Sequence, residues 1–337
     1  MDHPTVYVGL DYHKNSIQVC VLDQDGKILA NQRCDNRWQD VNRCVQRHGR
    51  VSRVAIEACV GAADLAEELV TRLGWSVELA HPGYVHRMKG NPDKTDFSDA
   101  RMLADLTRVG YLPRVWLAPE SIRELRRLVR YRQQLVDERR ATKLRIRALI
   151  RDHRIREIPG KPWTKVWMEW LKQRDELGEQ SRWLMDCHLS RLQELFRTIA
   201  ATERRLNKVT RHDEMVIDLM DQSGIGPVTA WMIRAEIGRF DRFNSGKQVA
   251  RFCGLSPRND SSGERQADAG PIKAGNKQLR STLIEAAWRL MRHDERWRAL
   301  AEKMIRQGKP KCLVAAAIAN RWIRKLYHEM KPLGLAA

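Results

Sequence analysis

Val6-Tyr7-Val8-Gly9-Leu10-Asp11, then Ile17-Gln18-Val19-Cys20-Val21, then Asp25-Gly26-Lys27-Ile28-Leu29: this opening stretch decides the fold. Val6, Val8 and Leu10 alternate, as do Ile17, Val19 and Val21, and a period of two marks strands that bury one face. Asp25-Gly26 is a hairpin turn signal, so Lys27-Ile28-Leu29 begins a third strand beside the second. Working outward, Asn36 is placed to cap a helix running through Trp38, Val41 and Val45 to Gly49. Residues 54–58 form a short apolar strand, 62–73 a helix closed by Gly74, and 76–80 a fifth strand. After a loop holding Pro82, Gly90 and Pro92, a helix is predicted to start near Thr95 or Asp96 and to end by Gly110. The order is βββαβαβα, a hairpin-led mixed sheet with helices packed on it.

The remainder of the chain is different material. Between Ile122 and Arg156 stand 13 Arg+Lys against 4 Asp+Glu, with no Gly or Pro to break a helix. Leu128, Leu135, Thr142 and Leu149 recur every seventh residue, flanked by Val129, Val136 and Ile150, which predicts a long helix over 121–157. A second long helix is predicted over 182–209 from Met185, Leu189, Leu192, Phe196, Ile199 and Leu206. The two are expected to pack together or against a second subunit. The basic face of the first either stays in solvent or lies along phosphates. Trp163, Trp167 and Trp170 fall at i, i+4, i+7, which reads as a packing stripe rather than a base-stacking platform. Residues 213–330 read as mostly helical with Gly-rich connections. The expected class is α/β plus α in three parts: 1–115, 116–212 and 213–337.

Composition narrows the function. The chain has 337 residues and a formal charge of +19, a surplus that attracts polyanions, above all nucleic acid. No apolar run approaches the roughly 18 residues that span a bilayer, and no basic-then-apolar leader opens the chain, so the expected setting is cytoplasmic with no membrane partner. The seven cysteines are scattered and form no CxxC pair. That excludes a disulfide scaffold and a Cys-based zinc site. There is no GxxxxGK[ST], so no ATP-driven step is expected.

Four carboxylates carry candidate chemistry. Asp11 ends the first strand and Glu57 sits inside the fourth, where an unneutralised acid costs several kcal/mol. Asp96 and Asp99, at i and i+3, share one helix face. Taken singly each has a plain alternative: Asp96 can cap its helix, and Asp11 can simply end a strand. Together, with no His or Cys nearby, they suit Mg²⁺ or Mn²⁺. Two such ions clamp a phosphodiester at its attacking and leaving oxygens. Farther on, Ser223-Gly224-Ile225-Gly226-Pro227-Val228-Thr229-Ala230 reads as a helix-hairpin-helix. Its glycines, Gly224 and Gly226, allow a tight turn that offers backbone N–H groups to a phosphate. Lys273-Ala274-Gly275-Asn276-Lys277-Gln278-Leu279-Arg280 then opens another helix. Lys273, Asn276, Lys277 and Arg280 join the two glycines as candidate nucleic-acid-binding residues.

A hairpin-led βββαβαβα unit with acids on strand one, strand four and the last helix resembles the RNase H/RuvC-like nuclease fold. Gly9-Leu10-Asp11, Lys94-Thr95-Asp96-Phe97-Ser98-Asp99-Ala100 and the succession from Phe252-Cys253-Gly254-Leu255-Ser256-Pro257-Arg258 to Ser261-Ser262-Gly263 are similar to one family within it. That family is the DEDD insertion-sequence transposases, understood as bridge-RNA-guided DNA recombinases. The resemblance implies that Asp11, Glu57, Asp96 and Asp99 are catalytic and hold Mg²⁺ or Mn²⁺ at a scissile phosphate. It implies that Ser262, the serine directly before glycine, is the nucleophile and forms a phosphoserine link. Lys273, Lys277 and Arg280 would supply cations nearby. The implied partners are donor and target DNA, a structured guide RNA, and further copies of the chain in a homodimer or homotetramer. The residues themselves leave two alternatives open. One is a RuvC-like structure-specific endonuclease with water as nucleophile. The other is a non-catalytic nucleic-acid scaffold.

Overall fold

Apolar alternation at the start of the chain produces β1 (Thr5–Tyr12), β2 (Ser16–Leu22) and β3 (Ile28–Asp35), an antiparallel meander. The computed structural model describes residues 4–88, 95–156, 159–173, 176–259, 268–271 and 275–331. It divides into two units, Met1–Pro119 and Glu120–Ala337. In the first, α1 (Trp38–Val45), β4 (Arg50–Glu57), α2 (Ala62–Leu73), β5 (Val77–Ala80), α3 (Pro82–Met88), α4 (Asp96–Arg108) and β6 (Arg114–Val115) follow the meander. The sheet order is β3-β2-β1-β4-β5-β6, with β4 parallel to β1 and β5 parallel to β4. This is the hairpin-led mixed sheet expected from the sequence, with two additions. The loop at Pro82 contains the helix α3, and β6 extends the edge antiparallel to β5.

Each face of the sheet has its own cover. Val6, Val8, Leu10, Ile17, Val19 and Val21 pack with residues of α1 and α2. The opposite face receives α4, and there the fit is set by small residues. A Cβ on Gly9 would collide with the carbonyl oxygen of Ala100 and the amide nitrogen of Ala104, and would stand 3.0 Å from the Ala104 Cβ. Glycine at this position lets the helix backbone rest directly on β1. Ala100 and Ala104 are fully buried there against Cys20 and Leu22. The N-terminus of α4 is capped by Thr95, whose side chain accepts from the Ser98 N–H at 3.2 Å, so Asp96 is not the cap. Gln18 donates to Asn31 at 2.7 Å, and Asn31 donates to the Phe97 carbonyl at 3.0 Å, tying the same helix end to β2 and β3.

Asn36 behaves differently from expectation. Arg37 occupies the N-cap of α1 with no side-chain cap bond. The Asn36 amide instead donates to the carbonyls of His13 at 2.9 Å and Lys14 at 3.3 Å, bracing the β1–β2 turn.

The second unit comprises α5 (Glu120–Asp152), α6 (Lys165–Lys172), α7 (Glu179–Thr210), α8 (Glu214–Met220), α9 (Pro227–Ile237), α10 (Gly246–Phe252), a ribbon of β7 (Pro257–Asn259) and β8 (Asp268–Pro271), then α11 (Lys277–His293), α12 (Glu295–Arg306) and α13 (Lys311–Met330). The two long helices pack on each other within the chain. Leu135 meets Leu195 and Ile199, while Ile146 and Ile150 join Met185, Leu189 and Leu192. Trp167 is buried in that cluster with Trp163 and Trp170 against it, which makes the tryptophans a packing stripe. Phe196, expected in the core, is 41% exposed; its place is taken by Leu195. Its ring instead lies under Arg139 at 5.5 Å and Lys143 at 5.3 Å. The C-terminal helices surround a separate core containing Trp231, Phe240, Leu283, Trp322 and Tyr327. β7 and β8 form an antiparallel ribbon with Asn259 beside Asp268.

The Gly9 contact generates a direct test. Gly9→Ala should destabilise the protein by about 2–3 kcal/mol, because a methyl group meets backbone that cannot yield cheaply. Chemical denaturation measures this; an unchanged midpoint would contradict the close approach.

Candidate metal centre and nucleic-acid groove

Strand alternation places Asp11 on the same face as Gly9, the face that α4 covers. β1 and β4 run parallel with Gly9 beside Ala55 and Leu10 beside Ile56, so Glu57 follows Ala55 onto that face at the matching strand end. Because α4 rests on β1 at Ala100 and Ala104, its first turn, carrying Asp96 and Asp99, arrives over the end of β1. The electrostatics register this convergence. Burial pushes the Asp11 carboxyl up from its ordinary value; the His13 side chain opposes that, and the charges of Asp96 and Asp99 add to it. The Cys59 thiol is likewise raised, by burial first and then by Glu57 and Asp11. Asp99 is buried, at 7% exposure. Asp11 on β1 thus feels the charge of Asp96 and Asp99 on α4, and the Cys59 thiol feels both Glu57 and Asp11.

Sequence reasoning missed one member of this group. His13 was to be absent from the acids' surroundings, yet its Nε2 lies 3.2 Å from Asp11 Oδ2 and 3.3 Å from Asp96 Oδ2. One ligand atom each from Asp11, His13 and Asp96 lies within 4.8 Å of the others. The signal was available in Asp11-Tyr12-His13, since a residue two positions beyond a strand's last acid returns to the same face. A crowd of acids, one of them resisting ionisation, together with an imidazole, fits a divalent cation.

The predicted nucleic-acid-binding residues separate. Gly226 and Lys277 line a single groove of about 760 Å³ in the second unit, together with Arg132, Arg139, Arg140 and Arg289. Gly224 lies beside it in a smaller hollow of about 310 Å³ that also contains Gly226 and Arg289. At the turn, α8 ends, Gly224 takes φ 80°, and Pro227 opens α9 with Gly226 as its N-cap. Arg289 braces the turn by donating to Thr229 Oγ1 at 3.0 Å and to the Gly224 carbonyl at 3.3 Å. Asn276 is the N-cap of α11, its Oδ1 accepting from Gln278 and Leu279 N–H groups at 2.9 and 3.1 Å. Arg280 has a buried Nη1 with no hydrogen-bond partner among the described residues. Ser262, its neighbour Ser261, and Lys273 lie outside the described residues.

Only part of the basic charge of α5 is free for a ligand. Arg130 makes a two-point ion pair with buried Glu236, Nε–Oε1 2.8 Å and Nη2–Oε2 3.0 Å. Arg132 binds Glu203 at 2.6 Å, and Arg126 donates to the Ala235 carbonyl at 3.0 Å. These arginines fasten α5 to α7 and α9. The groove cations Arg140 and Lys277 are exposed.

Two sequence families match the chain. A DEDD transposase model covers residues 8–155, and one described as the transposase IS116/IS110/IS902 family covers residues 218–302. The chain is 31% identical over 297 residues to the putative transposase y4qE of Sinorhizobium fredii, spanning 85% of this chain and 72% of that protein. It is 27% identical over 321 residues to the transposase for insertion sequence element IS1111A of Coxiella burnetii, spanning 93% and 86%. To a probable family 20 transposase of Pseudomonas aeruginosa it is 29% identical over 341 residues, spanning 95% of each chain. The class is therefore a DNA transposase whose DEDD-type domain implies use of a divalent metal. Within that class, the chain belongs to the IS110/IS116/IS902 family. Among the described residues no helix is long and apolar enough to cross a membrane.

The raised Asp11 carboxyl has a consequence for stability. A carboxyl whose folded-state pKa lies above its unfolded value favours the fold while protonated, and that contribution is lost as pH rises through the raised value. At pH 7 in EDTA, Asp11→Asn should therefore raise the Tm, by on the order of 2 °C. Differential scanning fluorimetry measures it, and a lower Tm would contradict the stated charge balance.

Proposed function

We propose that this transposase cuts and rejoins DNA through a phosphoserine intermediate formed by Ser262, with Asp11, Glu57, Asp96 and Asp99 as the metal-holding tetrad and a structured RNA selecting donor and target. The observation that carries the proposal is the seating of α4 on Gly9, which gathers acids distant in sequence at one end of the sheet. That arrangement supports an RNase H/RuvC-like reading of the first unit. A bound Mg²⁺ or Mn²⁺ supplies charge stabilisation at the phosphoryl oxygens. Ser262 Oγ gives up its proton and bonds to the scissile phosphorus as the bond to one deoxyribose oxygen breaks, that oxygen leaving with a proton. A deoxyribose hydroxyl later attacks the same phosphorus and expels the serine, so the phosphodiester is conserved. Ser262 stands 163 positions beyond Asp99 in sequence. The serine and the acids therefore meet by folding or across subunits, and the family resemblance implies the latter, in a homodimer or homotetramer.

The chain divides functionally into a catalytic part at 1–115, the long helices at 116–212 as the dimerisation element, and a serine-bearing part at 213–337. The basic groove, lined from both the second and the third of these, supports nucleic-acid binding there. Its exposed Arg140 and Lys277 and the N–H groups of the Gly224–Gly226 turn suit a phosphate backbone.

Two experiments test this. Incubation with cognate DNA and RNA followed by a denaturing gel should show a strand covalently attached to protein, abolished in Ser262→Ala and retained in Ser261→Ala. Free ends only, with Ser262→Ala still active, would identify a hydrolase using water. In a separate titration, the double variant Arg140→Ala/Lys277→Ala should weaken binding and flatten the plot of log K against log salt, lowering its slope by about 1–2. An unchanged slope would remove the groove from the interface.

A further inference from the structure

We infer that His13 is an inner ligand of the divalent metal, and that its imidazole shifts the centre's preference from Mg²⁺ toward Mn²⁺. The inference rests on the proposal that Asp11 and Asp96 hold a metal. Its own support is geometric. His13 Nε2 stands 3.2 Å from an oxygen of Asp11 and 3.3 Å from an oxygen of Asp96. A neutral imidazole has one N–H, which cannot serve two carboxylates at full strength. Neighbouring ligands of an octahedral ion bound at roughly 2.1 Å lie roughly 3 Å from each other, close to both observed spacings. All three ligand atoms lie within 4.8 Å of one another, so they fit around one ion.

The turn that carries His13 is constructed to hold it there. Tyr12 pairs with Ile17 at the end of the β1–β2 ladder, and the His13 N–H donates to the Ser16 carbonyl at 2.9 Å. The Asn36 side chain clamps the His13 and Lys14 carbonyls from outside. The side chain itself is 46% exposed, so it adds little to the core and is free to meet an ion entering from solvent. Carboxylates alone suit Mg²⁺ and Mn²⁺ alike, whereas imidazole nitrogen favours the transition metal.

The test is Mn²⁺ binding to the full-length protein without nucleic acid, followed by electron paramagnetic resonance. Electron spin-echo modulation of the Mn²⁺ form should contain ¹⁴N coupling that disappears in His13→Gln. The Mn²⁺ Kd of that variant should rise about tenfold, while its Mg²⁺ Kd, by calorimetry, moves less than about threefold. Circular dichroism should match that of the parent, since the substituted side chain is half exposed. Asp11→Asn separates the two levels of inference. If it binds Mn²⁺ as well as the parent does, the acidic centre itself is wrong. If it loses Mn²⁺ while the parent shows no ¹⁴N coupling, or if coupling survives in His13→Gln, the acidic centre stands and the role of His13 is overturned.

Discussion

The N-terminal unit depends on a backbone-to-backbone contact between a strand and a helix. Gly9 has no side chain, Ala100 and Ala104 have the smallest ones, and α4 can settle on β1 only for that reason. The importance of this contact is positional. An α-helix advances about 1.5 Å per residue, so fixing Ala100 against Gly9 fixes Asp99 and Asp96 to within a turn of the end of β1. Any larger residue at position 9 would lift the helix and disperse the acids, even with the rest of the sheet intact. Stability and site geometry thus share one contact, and the packing residues constrain the chemistry as tightly as the acids do.

Much of this architecture was legible because it follows from local periodicity. Alternation in β1 and β2, the Asp25-Gly26 turn and Gly74 behind α2 each announce their element through steric rules that hold wherever the chain lies. What escaped depended on partners distant in sequence. Asn36 has the residue type of a helix cap, but a better use for its amide appears once β1, β2 and α1 are assembled, because the turn at His13 then presents two carbonyls to it. Phe196 satisfied the spacing of a core residue as well as Leu195 did. The crossing of α5 and α7 decides between such neighbours, and no single-helix pattern contains that crossing. His13 is not legible as a member of the site because the acids alone make a complete set for a hard cation.

The surplus of positive charge divides into two roles that composition cannot separate. Arg126, Arg130 and Arg132 lie on the basic helix, yet each is committed to a partner on another helix of the same unit. Glu236, at 5% exposure, is the clearest case: a buried carboxylate requires a cation, and Arg130 meets it with both ends of its guanidinium fork. Arg239 and Asp241 form another such pair, in which the arginine holds the aspartate below the ordinary carboxylate range. Charge of this kind contributes little to counterion release, since its field is already matched inside the protein. The exposed cations Arg140 and Lys277, in the groove at the α9 and α11 N-termini, are placed to meet phosphates instead.

That division bears on how the acidic centre can exist in a protein with so many cations. Arginine beside Asp11 would have neutralised the cluster permanently and closed it to a metal. Among the described residues, the side chain at hydrogen-bond distance is instead that of His13, whose imidazole, unlike a guanidinium, has a nitrogen lone pair to offer a cation. Burial and the neighbouring acids keep Asp11 reluctant to ionise, so the cluster is an unfavourable concentration of charge without a metal. A divalent ion held there would reverse that balance, its binding energy drawing on repulsion that the fold has already accepted. The seating of α4 on Gly9 is what sustains this repulsion, because a looser helix would relieve it by moving away.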